Sequence, residues 1–126
     1  MRTCKHILLV DDSKLARMAL RAVLNDLGVE ADVTEAADAE AALELTERTG
    51  FDTVFMDYNM PGVDGLSAAA VIRVRQPEAA IALVTANAQE DILAEARRLR
   101  LAFLGKPVRR EDVLRFISGS DVAERV

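Results

Sequence analysis

The chain predicts an α/β fold, a single three-layer α/β/α sandwich built on a five-stranded parallel sheet. Three observations predict it. Strand-like segments too short for helices, most of them apolar runs, alternate five times with segments of helical period. Several of these runs end abruptly in a polar residue followed by turn chemistry, as in Val54-Phe55-Met56-Asp57 before Met60-Pro61-Gly62. No repeat, linker or composition shift divides the 126 residues, a length that one domain with a real core accommodates.

Residues 6–10 read as a buried strand running into Asp11-Asp12-Ser13. A helix follows, with Leu15, Ala19, Val23, Leu24 and Leu27 on its inner face. Asp12 or Ser13 caps its start, and Gly28 suits the left-handed position past its end. A weaker strand covers about 30–36, marked by Val33 and Thr34. The second helix, near 38–49, turns Ala39, Ala42, Leu43 and Thr46 inward, between Asp38 in front and Gly50 behind. Residues 52–57 form the central strand. Asp64 caps a third helix with Leu66, Ala69, Ile72 and Arg73 inward, and Pro77 ends it. Residues 80–85 are the fourth strand, and Ile92, Ala96 and Leu99 face inward from a helix near 89–99. The fifth strand, 101–105, ends in Lys106-Pro107, and Val113, Leu114 and Ile117 pack a last helix over about 109–118. The tail, 119–126, is expected to fray. Right-handed crossovers with one reversal of winding give the strand order 2-1-3-4-5, the flavodoxin-like arrangement.

Composition narrows the function. At 51% hydrophobic and 29% charged the chain reads as a soluble globular protein, and a net charge of −5 argues against direct nucleic-acid binding through phosphates. The single cysteine, Cys4, allows no internal disulfide. No apolar run is long enough for membrane insertion, and the expected location is the cytoplasm.

In a parallel sheet all strands deliver their carboxyl ends to one edge. Here that edge receives Asp11 and Asp12, then Asp57, Thr85 and Lys106. Asp57 alone could be a turn cap; the matching strand ends change that reading. Two carboxylates about 4 Å apart repel by roughly 4 kcal/mol at an effective dielectric near 20, so either some protonate or a cation fills the space. An all-oxygen set suits Mg²⁺, with Mn²⁺ as a substitute, and the set lacks the His or Cys that zinc prefers. A carboxylate beside a divalent cation, a lysine and a hydroxyl suits phosphoryl transfer, with Asp57 as nucleophile, Thr85 and Lys106 as charge-stabilising partners, and Ala86 small enough for backbone approach. The one histidine, His6, begins a strand at the opposite edge, and an ionised carboxylate needs no base.

Over residues 5–118 the chain resembles a response-regulator receiver domain of the chemotaxis-regulator type. The resemblance rests on Leu9-Val10-Asp11-Asp12-Ser13, on Phe55-Met56-Asp57-Tyr58-Asn59-Met60-Pro61-Gly62-Val63-Asp64-Gly65, on Val84-Thr85-Ala86 and on Gly105-Lys106-Pro107. It implies that Asp57 is the phosphoacceptor, that Asp11, Asp12, Asp57 and the Asn59 carbonyl hold Mg²⁺, and that Thr85 and Lys106 contact the phosphoryl group. It further implies a cis Lys106-Pro107 peptide and a switch aromatic at Phe103, a position that also reads as plain core. Asn59 and Asn87 would tune hydrolysis, and two uncharged amides there imply intermediate-to-slow autodephosphorylation. The implied partners are a sensor histidine kinase or histidine phosphotransfer protein and a downstream protein target, with the chain a monomer or a phosphorylation-dependent dimer. Output through binding is expected, since no effector segment is recognisable in these residues. Arg97, Arg98, Arg100, Arg109 and Arg110 form either a solvated face or a surface for an acidic partner.

Two departures stand out. Arg100-Leu101 replaces the Gly-Ala that commonly closes the fourth helix in such domains, which predicts a distinctive loop. Val108 stands where a larger apolar residue is frequent, which loosens packing there. Two other classes stay open: an aspartyl-phosphate phosphatase, disfavoured because Asn59 stands where a second acid is wanted, and a receiver-like scaffold that is never phosphorylated.

Overall fold

The structure, a computed structural model, describes residues 4–86 and 89–119. Its elements alternate as β1 His6–Val10, α1 Lys14–Asp26, β2 Asp32–Ala36, α2 Ala39–Arg48, β3 Thr53–Asp57, α3 Gly65–Arg75, β4 Ala80–Thr85, α4 Glu90–Arg98, β5 Ala102–Gly105 and α5 Arg110–Ile117. All neighbouring strands pair in parallel, in the order β2-β1-β3-β4-β5. Asn87 and most of the 119–126 tail lie outside the described residues.

Alternation along the strands divides the core into two halves. Leu8, Val10, Val54, Met56, Ile81 and Leu83 pack with residues of α2, α3 and α4. Ile7, Leu9, Phe55, Ala82, Val84 and Leu104 pack with α1 and α5. On this second side the rings of Phe55 and Phe116 meet edge to face, 5.1 Å between centroids.

The helix starts follow their capping residues. Ser13 Oγ accepts from Ala16 N, Asp38 from Ala41 N and Asp64 from Ser67 N. Because Ser13 does this work at α1, Asp12 is released from a capping role. Gly28 takes the expected left-handed conformation, φ 74°.

Four expectations need correction. Leu15 is 77% exposed and Ala19 is exposed as well. The buried stripe of α1 is Leu20 and Leu24, flanked by Val23 and Leu27. On α5 the buried residue is Phe116 instead of Leu114, which is 42% exposed. Gly50 supplies no left-handed cap, since α2 closes on an extended Thr49. The Gln76 amide explains this: its Nε2 donates to the carbonyls of Thr46 and Thr49 while its Oε1 accepts from Phe51 N, which satisfies the helix end without a glycine. Finally, the loop after α4 keeps the ordinary left-handed geometry. Arg100 itself adopts φ 59°, with Leu101 N bonded to Ala96 O and Arg100 N to Arg97 O, the paired bonds of a Schellman cap. A non-glycine residue is held there by Arg73, whose buried guanidinium donates to the carbonyls of Leu99, Arg100, Pro77 and Ala79. The sequence pattern places Arg73 on the inner line of α3, and a basic residue on the apolar line of a helix is the available signal of a buried clamp.

One further tie secures the sheet edge to α1. Glu35 accepts from Arg17 Nε at 2.7 Å and Arg21 Nε at 2.8 Å, and Arg17 Nη1 donates to the Asp11 carbonyl at 2.6 Å. The hydrogen bonds from Arg21 and then Arg17 hold the Glu35 carboxyl below its ordinary value of 4.5. A lowered folded pKa adds stability above the unfolded pKa that is lost as pH falls through the folded one. Glu35→Gln is therefore expected to cost about 0.5–1 kcal/mol at pH 7, a figure discounted for the partial exposure of the pair. The urea midpoints of the two proteins should converge towards pH 3. An equal loss at both pH values would refute the role of the charge.

Candidate functional site

The parallel register brings the polar strand ends together step by step. Val10 lies opposite Met56, so Asp11 follows beside Asp57. Asp57 lies opposite Val84 and Thr85 opposite Gly105, so Thr85 and then Lys106 complete the edge. The ladder continues one residue past the strands, through Asp11 N to Ala36 O, Tyr58 N to Val84 O and Lys106 N to Thr85 O. These bonds fix the backbone beneath each functional side chain.

Side-chain alternation then decides orientation. Asp11, Asp57 and Lys106 share the parity of Leu9, Phe55 and Leu104, which face the α1 and α5 layer. Lys106 Nζ reaches Asp57 Oδ1 at 2.8 Å and Asp11 Oδ2 at 3.4 Å. One carboxylate oxygen each from Asp11, Asp12 and Asp57 lie within 4.8 Å of one another. Asp57 is 2% exposed, Asp11 nearly buried and Asp12 exposed, so the cluster opens to solvent on one side.

Burial, above all, raises the Asp57 carboxyl above its ordinary 3.8; the Lys106 hydrogen bond opposes this, and the Asp11 charge adds to it. Burial alone would lower Lys106, yet its bonds to Asp57 and Asp11 outweigh that and raise the ammonium above 10.5. Lys106 is thus a fixed cation at neutral pH.

The donor set fits a hard divalent ion. Octahedral Mg²⁺ at about 2.1 Å needs ligand oxygens roughly 3–4.2 Å apart, and the three carboxylate oxygens, all within 4.8 Å of one another, stand close to that spacing. All three are oxygen donors, and one cation, Lys106, already bonds Asp57 and Asp11.

The remaining expected residues are placed as follows. Asn59 is exposed and its backbone N donates to Asp57 Oδ1 at 3.4 Å. Thr85 is buried at the end of β4 and Ala86 is exposed just past it. Phe103 is half-buried on β5, facing Leu83 across the ladder. The Lys106-Pro107 peptide is cis, as the resemblance implied. Arg97, Arg98, Arg100, Arg109 and Arg110 are all exposed; Arg98 pairs with Glu95 and Arg110 with Asp26, so that face is less strongly basic than its sequence implies.

Gly65 is the site residue whose role sequence reasoning missed. A Cβ at this position would lie 2.0 Å from the Asp57 carbonyl oxygen and 2.9 Å from Tyr58 Cα. The start of α3 is thereby pressed against the backbone of Asp57, with Gly65 N bonded to Tyr58 O. The glycine after the Asp64 cap was the visible signal.

Comparison with known proteins identifies the family and agrees with this fold. The profile of the response regulator receiver domain matches residues 7–118. The transcriptional regulatory protein PdtaR of Mycobacterium tuberculosis is 37% identical over 111 residues, covering 87% of this chain and 53% of its own length. Protein CcdB of Bacillus subtilis is 34% identical over 114 residues, 90% of this chain and 94% of that protein. The chain spans about half the length of several curated relatives that it matches. Among solved structures, the chemotaxis protein CheY4 of Vibrio cholerae superposes with a TM-score of 0.80 at 26% identity, over 91% of this chain and 97% of that one. A response regulator of Burkholderia pseudomallei, solved with a phosphorylated aspartic acid, a calcium ion and citrate, gives 0.81 at 25% identity, over 96% and 69%.

Proposed function

Because the chain belongs to the response regulator receiver domain family, we propose that it is a two-component signalling switch that accepts a phosphoryl group on Asp57 and signals by altered partner binding. The observation that carries this reading is the convergence of three carboxylates within 4.8 Å, with Lys106 Nζ 2.8 Å from Asp57 Oδ1.

In this reading the donor is a phosphohistidine on a sensor kinase or phosphotransfer protein. An Asp57 carboxylate oxygen forms a bond to phosphorus as the P–N bond breaks, and the imidazole leaves with the electron pair. Asp11, Asp12, Asp57 and the Asn59 carbonyl would hold Mg²⁺, or Mn²⁺ in its place, which supplies charge neutralisation on the transferring oxygens. Lys106, bonded to Asp57 and Asp11, adds a fixed positive charge. The backbone of Ala86, an exposed residue, would approach a phosphoryl oxygen, and the Thr85 hydroxyl would donate to another. Drawing Thr85 to the new charge opens space beside it for Phe103 on the adjacent strand. Moving a two-state equilibrium from about 1:99 to 99:1 needs roughly 5.5 kcal/mol. Two or three charge-assisted contacts at about 1.5–3 kcal/mol each suffice.

Output then passes through the face that carries Arg97, Arg98, Arg100, Arg109 and Arg110, to an acidic protein partner. Asn59 and Asn87 bring no charge to orient water, so the acyl phosphate is expected to outlast seconds. Among the described residues no helix is long and apolar enough to cross a membrane; the proposed location is the cytoplasm.

The test is incubation with acetyl phosphate, with Mg²⁺ and with chelator, followed by intact-mass measurement. One phosphoryl group per chain, accumulating only with the divalent cation, is the expected result. Turnover of the donor without accumulation would indicate a phosphatase, and no reaction a scaffold; either would refute the proposal.

A further inference from the structure

We propose that a cleft between α1 and the sheet, directly beside Asp57, binds a small amphipathic amine: an apolar body about the size of one ring with a short arm, carrying a primary ammonium. The cleft has a volume of about 270 Å³ and is walled by Leu9, Phe55 and Val84 from the sheet and Leu20 from α1, with Asp11, Asp57 and Lys106 at the carboxyl edge of the strands.

Its origin is legible residue by residue. Asp57 and Lys106 continue the strand alternation toward the α1 side, so the polar edge opens onto apolar wall instead of onto solvent alone. Opposite, α1 presents the small side chains Ala16 and Ala19, and the loop before α5 presents Val108. A larger residue at any of the three would fill the space. The volume matches roughly nine waters of liquid at about 30 Å³ each, and an aliphatic wall holds such water poorly.

Charge selects the head group. Asp11 and Asp57 line the rim, and the exposed Asp12 stands beside them just outside the lining, against the positive charge of Lys106. Arg17, also in the wall, is already paired with Glu35 and bonded to the Asp11 carbonyl. Three negative charges against one positive, itself shared between Asp57 and Asp11, leave an acidic rim. An anion would meet three carboxylates there, whereas an ammonium gains charge-assisted hydrogen bonds while its body covers the apolar wall. The same carboxylates are the proposed cation ligands, so the amine belongs to the cation-free form of the protein. The inference stands on the cleft and its charges and needs no phosphorylation of Asp57.

The experiment titrates the full chain, in chelator, with phenethylamine, with 2-phenylethanol of the same shape but no charge, and with phenylacetate, following backbone amide shifts by NMR. Saturable shifts at Leu20, Val84 and Val108 are expected with phenethylamine, and at least about tenfold weaker binding of the other two. Asp57→Asn should weaken the amine several-fold. Val108→Phe and, independently, Ala19→Leu should abolish its binding while circular dichroism reports a folded protein. Absence of saturable shifts, equal or tighter binding of the alcohol or the acid, undiminished binding to Asp57→Asn, or wild-type binding by either folded cleft-filling variant would each overturn the proposal.

Discussion

Asp57→Asn is expected to lose phosphorylation altogether and yet to be the more stable protein at neutral pH. The loss follows from chemistry, because an amide oxygen carries no charge with which to attack phosphorus and the remaining acids stand across the cluster. The gain follows from the cost of a buried charge. Burial is the main reason the Asp57 carboxyl titrates above 3.8. A raised folded pKa gives a contribution that is fully present below the unfolded pKa and is lost as pH rises through the folded one. At pH 7 the wild type has therefore lost it, whereas asparagine never ionises. In chelator at pH 7 the variant should melt a few degrees higher, a gain of about 1 kcal/mol of the kind functional sites commonly forgo. The advantage should shrink towards pH 3. A variant that still gains one phosphoryl group from acetyl phosphate, or that melts lower at pH 7, would contradict this account.

Gly65→Ala carries the second large expectation. The added methyl would meet Asp57 O at 2.0 Å, Asp57 C at 2.8 Å and Tyr58 Cα at 2.9 Å. All three atoms are backbone, so no side-chain rotation relieves the contact, and either α3 or the Asp57 backbone must shift. Overpacking of this kind costs about 3 kcal/mol, or roughly 10 °C in melting temperature for a domain of this size. The shift also moves Asp57 against Lys106. A displacement near 1 Å lowers the phosphorylation rate by about a hundredfold. Gly50→Ala is the control, since nothing lies within 4 Å of its added carbon. It should stay within about 0.5 kcal/mol of wild type. If Gly65→Ala melts and phosphorylates like Gly50→Ala, the close approach of α3 to Asp57 is wrong.

What the sequence determined by itself is the pattern of the fold and the identity of the polar strand ends. Apolar runs of four to six residues separated by capped helical segments admit few arrangements, and parallel strands must bring Asp11, Asp57, Thr85 and Lys106 to one edge. Local signals of this kind survive because caps and alternation depend on neighbours in the chain: Asp38 and Asp64 cap where expected, and Ser13, one of two candidates, caps α1. Tertiary structure decided what depends on residues distant in sequence. It turned Leu15 outward and Leu20 inward, since only the position of the sheet edge says where a helix begins to cover it. It let Gln76 close α2 in place of Gly50 and let Arg73 hold Arg100 in a left-handed turn. It set Gly65 against the Asp57 carbonyl and left a cleft beside Val108. Periodicity reports which residues prefer burial, but packing against a particular partner at a particular distance is a property of two segments at once.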